Sequence, residues 1–271
     1  MAELIRMDPV NLSEQKKIRQ VARLLKGAKN ILFITGAGIS ADSGLPTYRG
    51  IGGLYNQKTT EDGIPIEMAL AGEMLSKRPE VTWKYLAQIE ENCRKAKFNR
   101  AHEIISEMEK VFERVWVLTQ NIDGFHRQAG SKNVIEIHGD FHKLACTHCG
   151  WRSRVDDYSS LEIPPRCPDC KKIIRPQVVF FGEQLPTEEL QVLSDQLSQG
   201  FDIYFSVGTT SVFPYIQHPI LDARYSGGFS VEINPSETQV SHLVDLKLSM
   251  GAAEALDVLW KEYLKDKSGN K

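Results

Sequence analysis

A glycine-rich turn directly after a short apolar run places the strongest limit on the fold of this chain. The apolar run is Ile31–Ile34, and the turn Thr35–Gly44 reads TGAGISADSG. Gly36, Gly38 and Ala41 fit the G-x-G-x-x-A pattern, which joins a strand to a helix in dinucleotide-binding folds. In such a fold a helix and an acidic ribose ligand would follow, but here a loop broken by proline and glycine follows. The turn therefore predicts nucleotide binding in a fold that departs from an ordinary dehydrogenase.

Short β-rich runs alternate with helical patterns along most of the chain. Helical spacing of apolar residues covers 18–25, 190–197 and 252–263. Strands that alternate with helices predict an α/β fold with a doubly wound, Rossmann-like parallel sheet. The predicted strands are Ile31–Thr35, Val115–Thr119, Val134–Ile137, Asp202–Val207, Phe229–Ile233 and Val244–Leu248.

Two segments interrupt this alternation. Residues 51–100 predict a helical insertion, and residues 141–175 predict a small inserted zinc-ribbon module. We expect the two to form a small domain. The remaining ranges, 1–50, 101–140 and 176–271, then make up the Rossmann-like NAD-binding domain.

Composition narrows the class of protein. The 271 residues carry a formal net charge of −2, which argues against a general nucleic-acid binder. No apolar stretch is long enough to cross a membrane, and the N-terminus shows no apolar signal region, so we expect a cytoplasmic protein. In that compartment the five cysteines are expected to be metal ligands or free thiols rather than disulfides.

Four of the cysteines form two C-x2-C pairs. Cys146 and Cys149 precede Cys167 and Cys170 at the C-x15–20-C spacing of structural zinc sites. Four thiolates close the coordination shell, which suits a structural ion rather than a catalytic one. Taken alone, this module could be a nucleic-acid-binding zinc ribbon, but it lies inside a larger domain. Cys93 is predicted to be a half-buried helix residue.

Polar residues follow two of the predicted strands. Gln120, Asn121 and Asp123 come after one of them, where ligands bind in doubly wound sheets. They fit contacts to hydroxyl or carboxamide groups, and equally fit a capped turn into a helix. His138 ends another strand, where it could be a general base or a structural histidine.

These motifs, in this order, resemble the sirtuin family of NAD-dependent protein deacylases. The resemblance covers roughly residues 15–260. Beyond the residues above it includes the segments FFGE (180–183), VGTTS (207–211) and IN (233–234).

The resemblance implies roles for individual residues. A mobile loop, about residues 41–55, would cover the cofactor. The Gly36–Gly38 turn would present N–H groups to the pyrophosphate, and His138 would be the general base, with Asn121 also in the catalytic site. NAD and zinc are the implied cofactors, and acetylated proteins or peptides are the implied partners, with a monomer favoured and no nucleic-acid or membrane contact. The implied NAD-binding residues are Gly36, Ala37, Gly38, Tyr48, Arg49, Gln120, Asn121, Asp123, Gly208, Thr209, Thr210 and Asn234.

The resemblance also implies a peptide groove and a reaction. An acyl-lysine peptide would lie as an added strand between two segments. NAD would lose nicotinamide, and the acyl group would leave lysine as O-acyl-ADP-ribose. The implied substrate-binding residues are Val179, Phe180, Phe181, Gly182, Glu183 and Val212.

Some positions depart from the family pattern, and other functions stay open. Asp140 and Thr210 stand where serine is usual, and Pro214 comes one residue early. Leu86 and Ile89 align with the tyrosine and arginine that select acidic acyl groups in some members, which predicts a preference for uncharged acyl chains. The alternatives are protein ADP-ribosylation on the same scaffold, a nicotinamide-nucleotide oxidoreductase, and a non-catalytic acyl-lysine-binding module.

Overall fold

The computed structural model describes residues 9–47 and 59–268. Nine α-helices lie in these ranges, together with two short 3-10 turns over Ala37–Ile39 and Ala41–Ser43. No helix in the described ranges is both long and apolar enough to cross a bilayer. The helices are α1 (Pro9–Gly27), α2 (Ile66–Ala69), α3 (Gly72–Lys77), α4 (Pro79–Lys95), α5 (Arg100–Met108), α6 (Phe125–Gln128), α7 (Thr187–Ser198), α8 (Pro214–Ser226) and α9 (Ala252–Ser268).

A six-stranded parallel sheet forms the centre of the molecule. Its spatial order is β3-β2-β1-β7-β8-β9, which is the doubly wound order of Rossmann-like folds. All six predicted strands are present, so the predicted fold class is confirmed. Its strands are β1 (Asn30–Thr35), β2 (Arg114–Thr119), β3 (Val134–Glu136), β7 (Ile203–Val207), β8 (Phe229–Ile233) and β9 (Leu246–Leu248).

Apolar side chains cover both faces of this sheet, because β1 and β7 are buried along almost their whole length. On one face Phe33 stacks on Phe205 with ring centroids 4.9 Å apart, and α1, α5 and α9 pack there. On the other face Leu32 and Ile34 contact α7 and α8. Burial on both faces explains why these strands read as continuous apolar runs rather than as alternating ones.

A second, antiparallel sheet carries the cysteine segment. Its order is β5-β4-β6, with β4 at Gly139–Cys146, β5 at Arg152–Arg154 and β6 at Ile174–Val178. This sheet shares an apolar cluster with α4, in which the Trp83 indole donates a hydrogen bond to the Ile174 carbonyl at 2.9 Å. The cysteine segment therefore gains its core from the helical insertion. The division into two domains with the boundaries given above stays a prediction.

Helix α8 and the antiparallel sheet are absent from the sequence-based expectations. Pro214 lies in the first turn of α8, and Pro219 lies inside the helix. Two prolines in thirteen residues mask a helical pattern in the sequence, although proline in a first helical turn is well tolerated. Strand β9 begins at Leu246, two residues later than predicted, and Asp245 just before it accepts hydrogen bonds from the backbone N–H and hydroxyl of Ser230.

Candidate functional site

The predicted site residues gather at one edge of the parallel sheet. The glycine turn follows β1, Gln120–Asp123 follows β2, His138 follows β3, Gly208–Thr210 follows β7 and Asn234 follows β8. Carboxyl ends of parallel strands share one edge, so residues distant in sequence meet there. The strand order reverses between β1 and β7, which places the glycine turn at the switch point where such folds bind ligands.

The glycine turn packs directly on the loop after β7. A Cβ at Gly38 would lie 2.6 Å from the Gly208 Cα, and one at Gly36 would lie 2.9 Å from the Thr209 Cβ. The N–H of Gly36 donates to the Val207 carbonyl at 3.2 Å, and the N–H of Gly38 donates to the Gly208 carbonyl at 2.8 Å. These two N–H groups are therefore bonded within the protein, which differs from the expected contact with pyrophosphate. The glycines permit close approach of two backbones.

Asn121 and Asp123 form a buried polar cluster with Ser40. The Asn121 amide donates to the Gly36 carbonyl at 3.1 Å and to the Ser40 hydroxyl at 3.2 Å. The Ser40 hydroxyl donates to the Asp123 carboxylate at 2.8 Å. Burial raises the pKa of Asp123, although hydrogen bonds from the Phe125 N–H and from Ser40 oppose that rise. Asp123 also bonds the first turn of α6, so the turn-capping interpretation holds beside the binding one.

Thr209 connects the other polar residues of this edge. Its hydroxyl accepts a hydrogen bond from the Gln120 amide at 2.7 Å and one from the Ser211 N–H at 3.1 Å. Its carbonyl accepts the Asn234 amide at 3.1 Å. The loops after β2, β7 and β8 are thereby fixed relative to one another. Thr210 lies in the same loop, and its carbonyl accepts the N–H of Gln239.

A cleft opens between the glycine turn and α4. Its empty volume is about 460 Å³, and Leu45 and Pro46 close one side. The Ile89 side chain reaches this cleft, whereas Leu86 is buried in the apolar cluster of the antiparallel sheet. Tyr48 and Arg49, and most of the predicted cofactor loop, lie outside the described residues. The cleft is lined by Ala37, Ser40, Leu45, Pro46, Ile89, Asn92, Cys93, Asn121, Ile122 and Asp123.

His138 follows β3, and both of its ring nitrogens are hydrogen-bonded. Nδ1 lies 2.9 Å from the Gln120 carbonyl, and Nε2 lies 2.6 Å from the Tyr215 hydroxyl. A carbonyl oxygen only accepts, so Nδ1 carries the proton and Nε2 keeps its lone pair. Burial lowers the pKa of His138, while the bond to the Gln120 carbonyl opposes that fall. The ring is therefore neutral near pH 7 and has a basic nitrogen.

The segment predicted to hold a peptide is hydrogen-bonded to His138 and to the helical insertion. The Val179 N–H donates to the His138 carbonyl at 2.9 Å, and the Phe181 N–H donates to the Leu70 carbonyl at 3.0 Å. Phe180 is buried, and Gly182 has a φ of +83°, which favours glycine. Val212, which lies just before α8, is 41% exposed. The segment is thus anchored at both ends.

The carboxylate of Glu183, a predicted substrate-binding residue, is bonded within the protein. Its carboxylate forms a two-point ion pair with Arg175, with both N···O distances at 2.7 Å, and also accepts the Phe180 N–H at 3.0 Å. Burial raises the pKa of Glu183, but the hydrogen bonds from Arg175 and Phe180 outweigh it and the net shift is downward. This pair shapes the turn that carries Phe180–Gly182.

Asp140, which stands where the family usually has serine after His138-Gly139, is hydrogen-bonded to residues of the antiparallel sheet. Its carboxylate accepts hydrogen bonds from the backbone and ring of His142 at 2.9 and 3.0 Å, and from Arg154 at 2.8 Å. Burial opposes its ionisation, but these bonds prevail and lower the pKa of Asp140 to about 2. Asp140 therefore anchors β4 and does not reach the ring of His138.

The four predicted metal ligands come together. The sulfur atoms of Cys146, Cys149, Cys167 and Cys170 all lie within 4.8 Å of one another. Zinc with four thiolates at about 2.3 Å requires sulfur–sulfur distances of about 3.8 Å, so the donor set fits a structural zinc ion. The backbone N–H groups of Cys149 and His148 lower the pKa of Cys146 to about 6, which favours the thiolate. His148 is not part of the sulfur cluster.

Sequence reasoning missed Ser40 and Tyr215, which contact Asp123 and His138. Ser40 lies within the glycine motif, and its position next to a dinucleotide turn was the available signal. Tyr215 lies 77 positions from His138, so no local pattern connects them.

The fold and site define a Rossmann-like nucleotide-binding protein with an inserted four-cysteine module and a neutral histidine at the same edge of the sheet as the cleft. Residues 36–214 match the family model described as Sir2 family. The chain belongs to the Sir2 family. A relative from Pseudomonas aeruginosa, named NAD-dependent protein deacylase 2, is 49% identical over 92% of this chain and 96% of its own. One from Aquifex aeolicus, named NAD-dependent protein deacylase, is 38% identical over 89% of this chain and 98% of its own.

Solved structures agree with this assignment. A Sir2 homologue in complex with NAD is 33% identical, with a TM-score of 0.79 and coverage of 96% of this chain and 95% of that chain. A variant Sir2 homologue in complex with ADP-ribose is 33% identical, with a TM-score of 0.83 and coverage of 92% and 97%.

Proposed function

We propose that this protein removes acetyl and other uncharged acyl groups from lysine in proteins, with NAD as co-substrate. The products are nicotinamide, free lysine and O-acyl-ADP-ribose. The observation that carries the proposal is a neutral, basic His138, hydrogen-bonded to the Gln120 carbonyl, at the same edge of the sheet as the Asn121–Asp123 cluster. Membership of the Sir2 family, and relatives named NAD-dependent protein deacylases, support it.

The residues around the cleft divide into two proposed groups. Gln120, Asn121 and Asp123 would hold the nicotinamide half of NAD, since all three follow β2 and both Asn121 and Asp123 line the cleft. Gly208–Thr210 and Asn234 would hold the adenosine half, because they follow the strands beyond the switch point. Gly36–Gly38 would place the backbone close to the pyrophosphate. Tyr48 and Arg49 are proposed to cover the cofactor, as the family motif implies.

The chemistry of His138 follows from its tautomer. When bound, NAD supplies the ribose carbon that receives the acyl oxygen as nicotinamide departs. The Nε2 atom of His138 accepts a proton from the ribose hydroxyl system, and the Gln120 carbonyl stabilises the resulting charge on the ring through Nδ1. Phe180 and Val212 are proposed to flank the lysine side chain and keep water away.

Zinc is proposed to serve folding only. The sulfur cluster lies at the far end of β4 from His138, and its four thiolates close the coordination shell. It leaves no coordination position for a substrate.

The direct test is mass spectrometry of an acetyl-lysine peptide incubated with the protein and NAD. We expect equal amounts of deacetylated peptide, nicotinamide and O-acetyl-ADP-ribose. Transfer of ADP-ribose to protein without deacetylation would favour the ADP-ribosyltransferase alternative. Binding of the peptide without NAD consumption would favour a binding module.

Two residues of α4, Leu86 and Ile89, bear on which acyl groups the protein prefers. Ile89 lines the cleft and Leu86 is buried, and neither position offers a cation for an acidic acyl group. Burial of an unpaired carboxylate is strongly unfavourable. We therefore expect kcat/KM to be higher for acetyl- and butyryl-lysine than for succinyl-lysine on one peptide sequence. Preference for succinyl-lysine would overturn this part alone.

The proposed function extends to the location, the oligomeric state and the partners of the protein. We propose that the protein acts in the cytoplasm as a monomer on acylated proteins, without direct contact to nucleic acid or membrane. The near-neutral net charge of −2 supports the absence of a nucleic-acid partner. Light scattering with and without an acetylated peptide would check the oligomeric state.

A further inference from the structure

The hydroxyl of Tyr215 occupies the nitrogen of His138 that the proposed reaction needs. The phenol oxygen lies 2.6 Å from Nε2, while Nδ1 is held by the Gln120 carbonyl. Nδ1 carries the proton, so the phenol must donate and Nε2 must accept. Burial raises the pKa of Tyr215 to about 12, so the donor stays protonated at neutral pH.

The surrounding residues fix Tyr215 in this position. Pro214 starts α8 immediately before it, and the Tyr215 ring stacks on Phe213 with centroids 5.5 Å apart and planes 13° apart. The Phe213 ring also meets His138 edge-on at 6.4 Å. These contacts hold the phenol against the histidine, in the segment where Pro214 comes one residue early.

Among the described residues, the polar contacts of the His138 ring are these two. Asp140, two residues along, is bonded to His142 and Arg154 instead. A neutral imidazole offers one in-plane lone pair, so Nε2 cannot accept from the phenol and from a ribose hydroxyl together. One donor must leave before the other binds.

We propose that Tyr215 is a positioning residue that caps Nε2 of His138 in the free enzyme and yields this nitrogen to the ribose hydroxyl when NAD binds. The inference rests on the function proposed above. Tyr215 also lines a groove between α7 and α8, with Leu190, Leu193 and Pro219, whose empty volume is about 1010 Å³. The displaced ring therefore has adjoining space into which it moves.

The experiment that tests this inference removes the phenol oxygen of Tyr215. Tyr215→Phe keeps the ring stack with Phe213 and deletes the donor. Since NAD no longer displaces a hydrogen bond, KM for NAD should fall about 2- to 10-fold while kcat stays within about twofold. The phenol stabilises the neutral ring, so its loss should raise the pKa of His138 and move the acid limb of the kcat/KM profile to higher pH. Tyr225→Phe, 91% exposed on the same helix, is the control.

Two other outcomes would overturn the cap. A fall in kcat of tenfold or more would show that Tyr215 takes part in proton transfer, and an unchanged KM and pH profile would show that the contact has no role. NMR titration of the His138 ring in the free protein keeps this test separate from the proposed function. If the wild-type protein lacks deacylase activity, the proposed function fails, whereas a His138 pKa equal in Tyr215→Phe and the wild type refutes the cap itself.

Discussion

His138 can act as a base because its surroundings fix both its tautomer and its charge. The Gln120 carbonyl assigns the proton to Nδ1, and burial lowers the pKa of the ring, so Nε2 is free of a proton near pH 7. A solvent-exposed histidine would lack both constraints. The tautomer and charge that proton acceptance requires are therefore set before any ligand arrives, although Tyr215 still has to leave Nε2.

Replacing this base should separate catalysis from binding. His138→Ala is expected to reduce kcat about 10²- to 10⁴-fold, the usual contribution of one positioned base. The Kd for NAD should change little, because the Asn121–Asp123 cluster remains intact. Steady-state kinetics with an acetylated peptide and calorimetry with NAD measure the two effects. His242→Ala, at an exposed histidine between β8 and β9, is the control, and near-normal turnover of folded His138→Ala would remove His138 from the mechanism.

A second pair of histidines lies buried next to β1. The rings of His102 and His126 are 4.9 Å apart, and Nε2 of His126 bonds the Thr35 hydroxyl at 2.9 Å. Burial lowers the pKa of His102 to about 4 and that of His126 well below its usual value. Both rings are therefore neutral in the folded protein, whereas they titrate near pH 6.5 in the unfolded chain.

This difference makes stability depend on pH. The unfolded chain binds more protons between pH 6.5 and 4, so stability falls as the pH drops through that window and is fully present above it. The low pKa of His102 alone should lower the free energy of unfolding by about 2 kcal/mol at pH 5, compared with its value above pH 6.5. His102→Gln keeps an acceptor for the Asn99 N–H at the third position of α5 and removes the titration, so it should flatten the profile. Urea unfolding from pH 5 to 8 measures this, and equal slopes for the variant and the wild type would contradict it.

The positions of single site residues were predictable where a local sequence pattern indicated them. Gln120, Asn121, Asp123 and His138 each follow a recognisable apolar strand. Tyr215 was not predictable, since its partner lies on another strand end and a tyrosine in a first helical turn has no distinctive pattern. Contacts between distant segments need the fold before they can be inferred.

At the scale of elements, continuous apolar runs identified the parallel strands. Helix α8 and strands β4–β6 were missed because their patterns depend on tertiary contacts. Strand β4 pairs with β6 on one side and β5 on the other, and its buried residues Phe141 and Leu144 meet the Trp83 cluster. Strand β4 mixes buried and half-buried residues and ends at Cys146, so its sequence shows neither a long apolar run nor strict alternation.

A substitution that adds one methyl group tests the packing between the turn after β1 and the turn after β7. Gly38→Ala would place Cβ 2.6 Å from the Gly208 Cα, so the two turns would have to move apart. We expect a loss of about 1–3 kcal/mol of stability, with weaker NAD binding as the two turns separate.

The control for this substitution is Gly27→Ala at the end of α1, where a Cβ meets nothing within 4 Å. Its effect should stay within about 0.5 kcal/mol. Chemical denaturation of both variants gives the comparison. Equal stability of Gly38→Ala and the wild type would show that the two turns adjust freely.

At the scale of the whole molecule, the metal cluster and the cleft share one apolar cluster. Cys167 is fully buried in it, beside Trp83 of α4, and α4 also contributes Ile89 and Cys93 to the cleft. Strand β4 runs from Gly139, next to His138, to the metal ligand Cys146. Order at the zinc site is therefore transmitted to the cleft by one strand and one helix, although no zinc ligand faces the cleft.

Removal of zinc should accordingly unfold part of the molecule and leave the rest. Without the metal, the four cysteine side chains would no longer be held together, and the segments that β4 and β6 connect to would lose this link. Hydrogen exchange of Cys167→Ala should show lost protection over 139–178 and 79–95, with β1, β2 and β7 still protected by their own clusters. Deacylation should be lost together with one equivalent of zinc. Cys93→Ala, a thiol outside the sulfur cluster, should keep both zinc and protection. A zinc-free protein with full protection of β4 and full activity would refute this coupling.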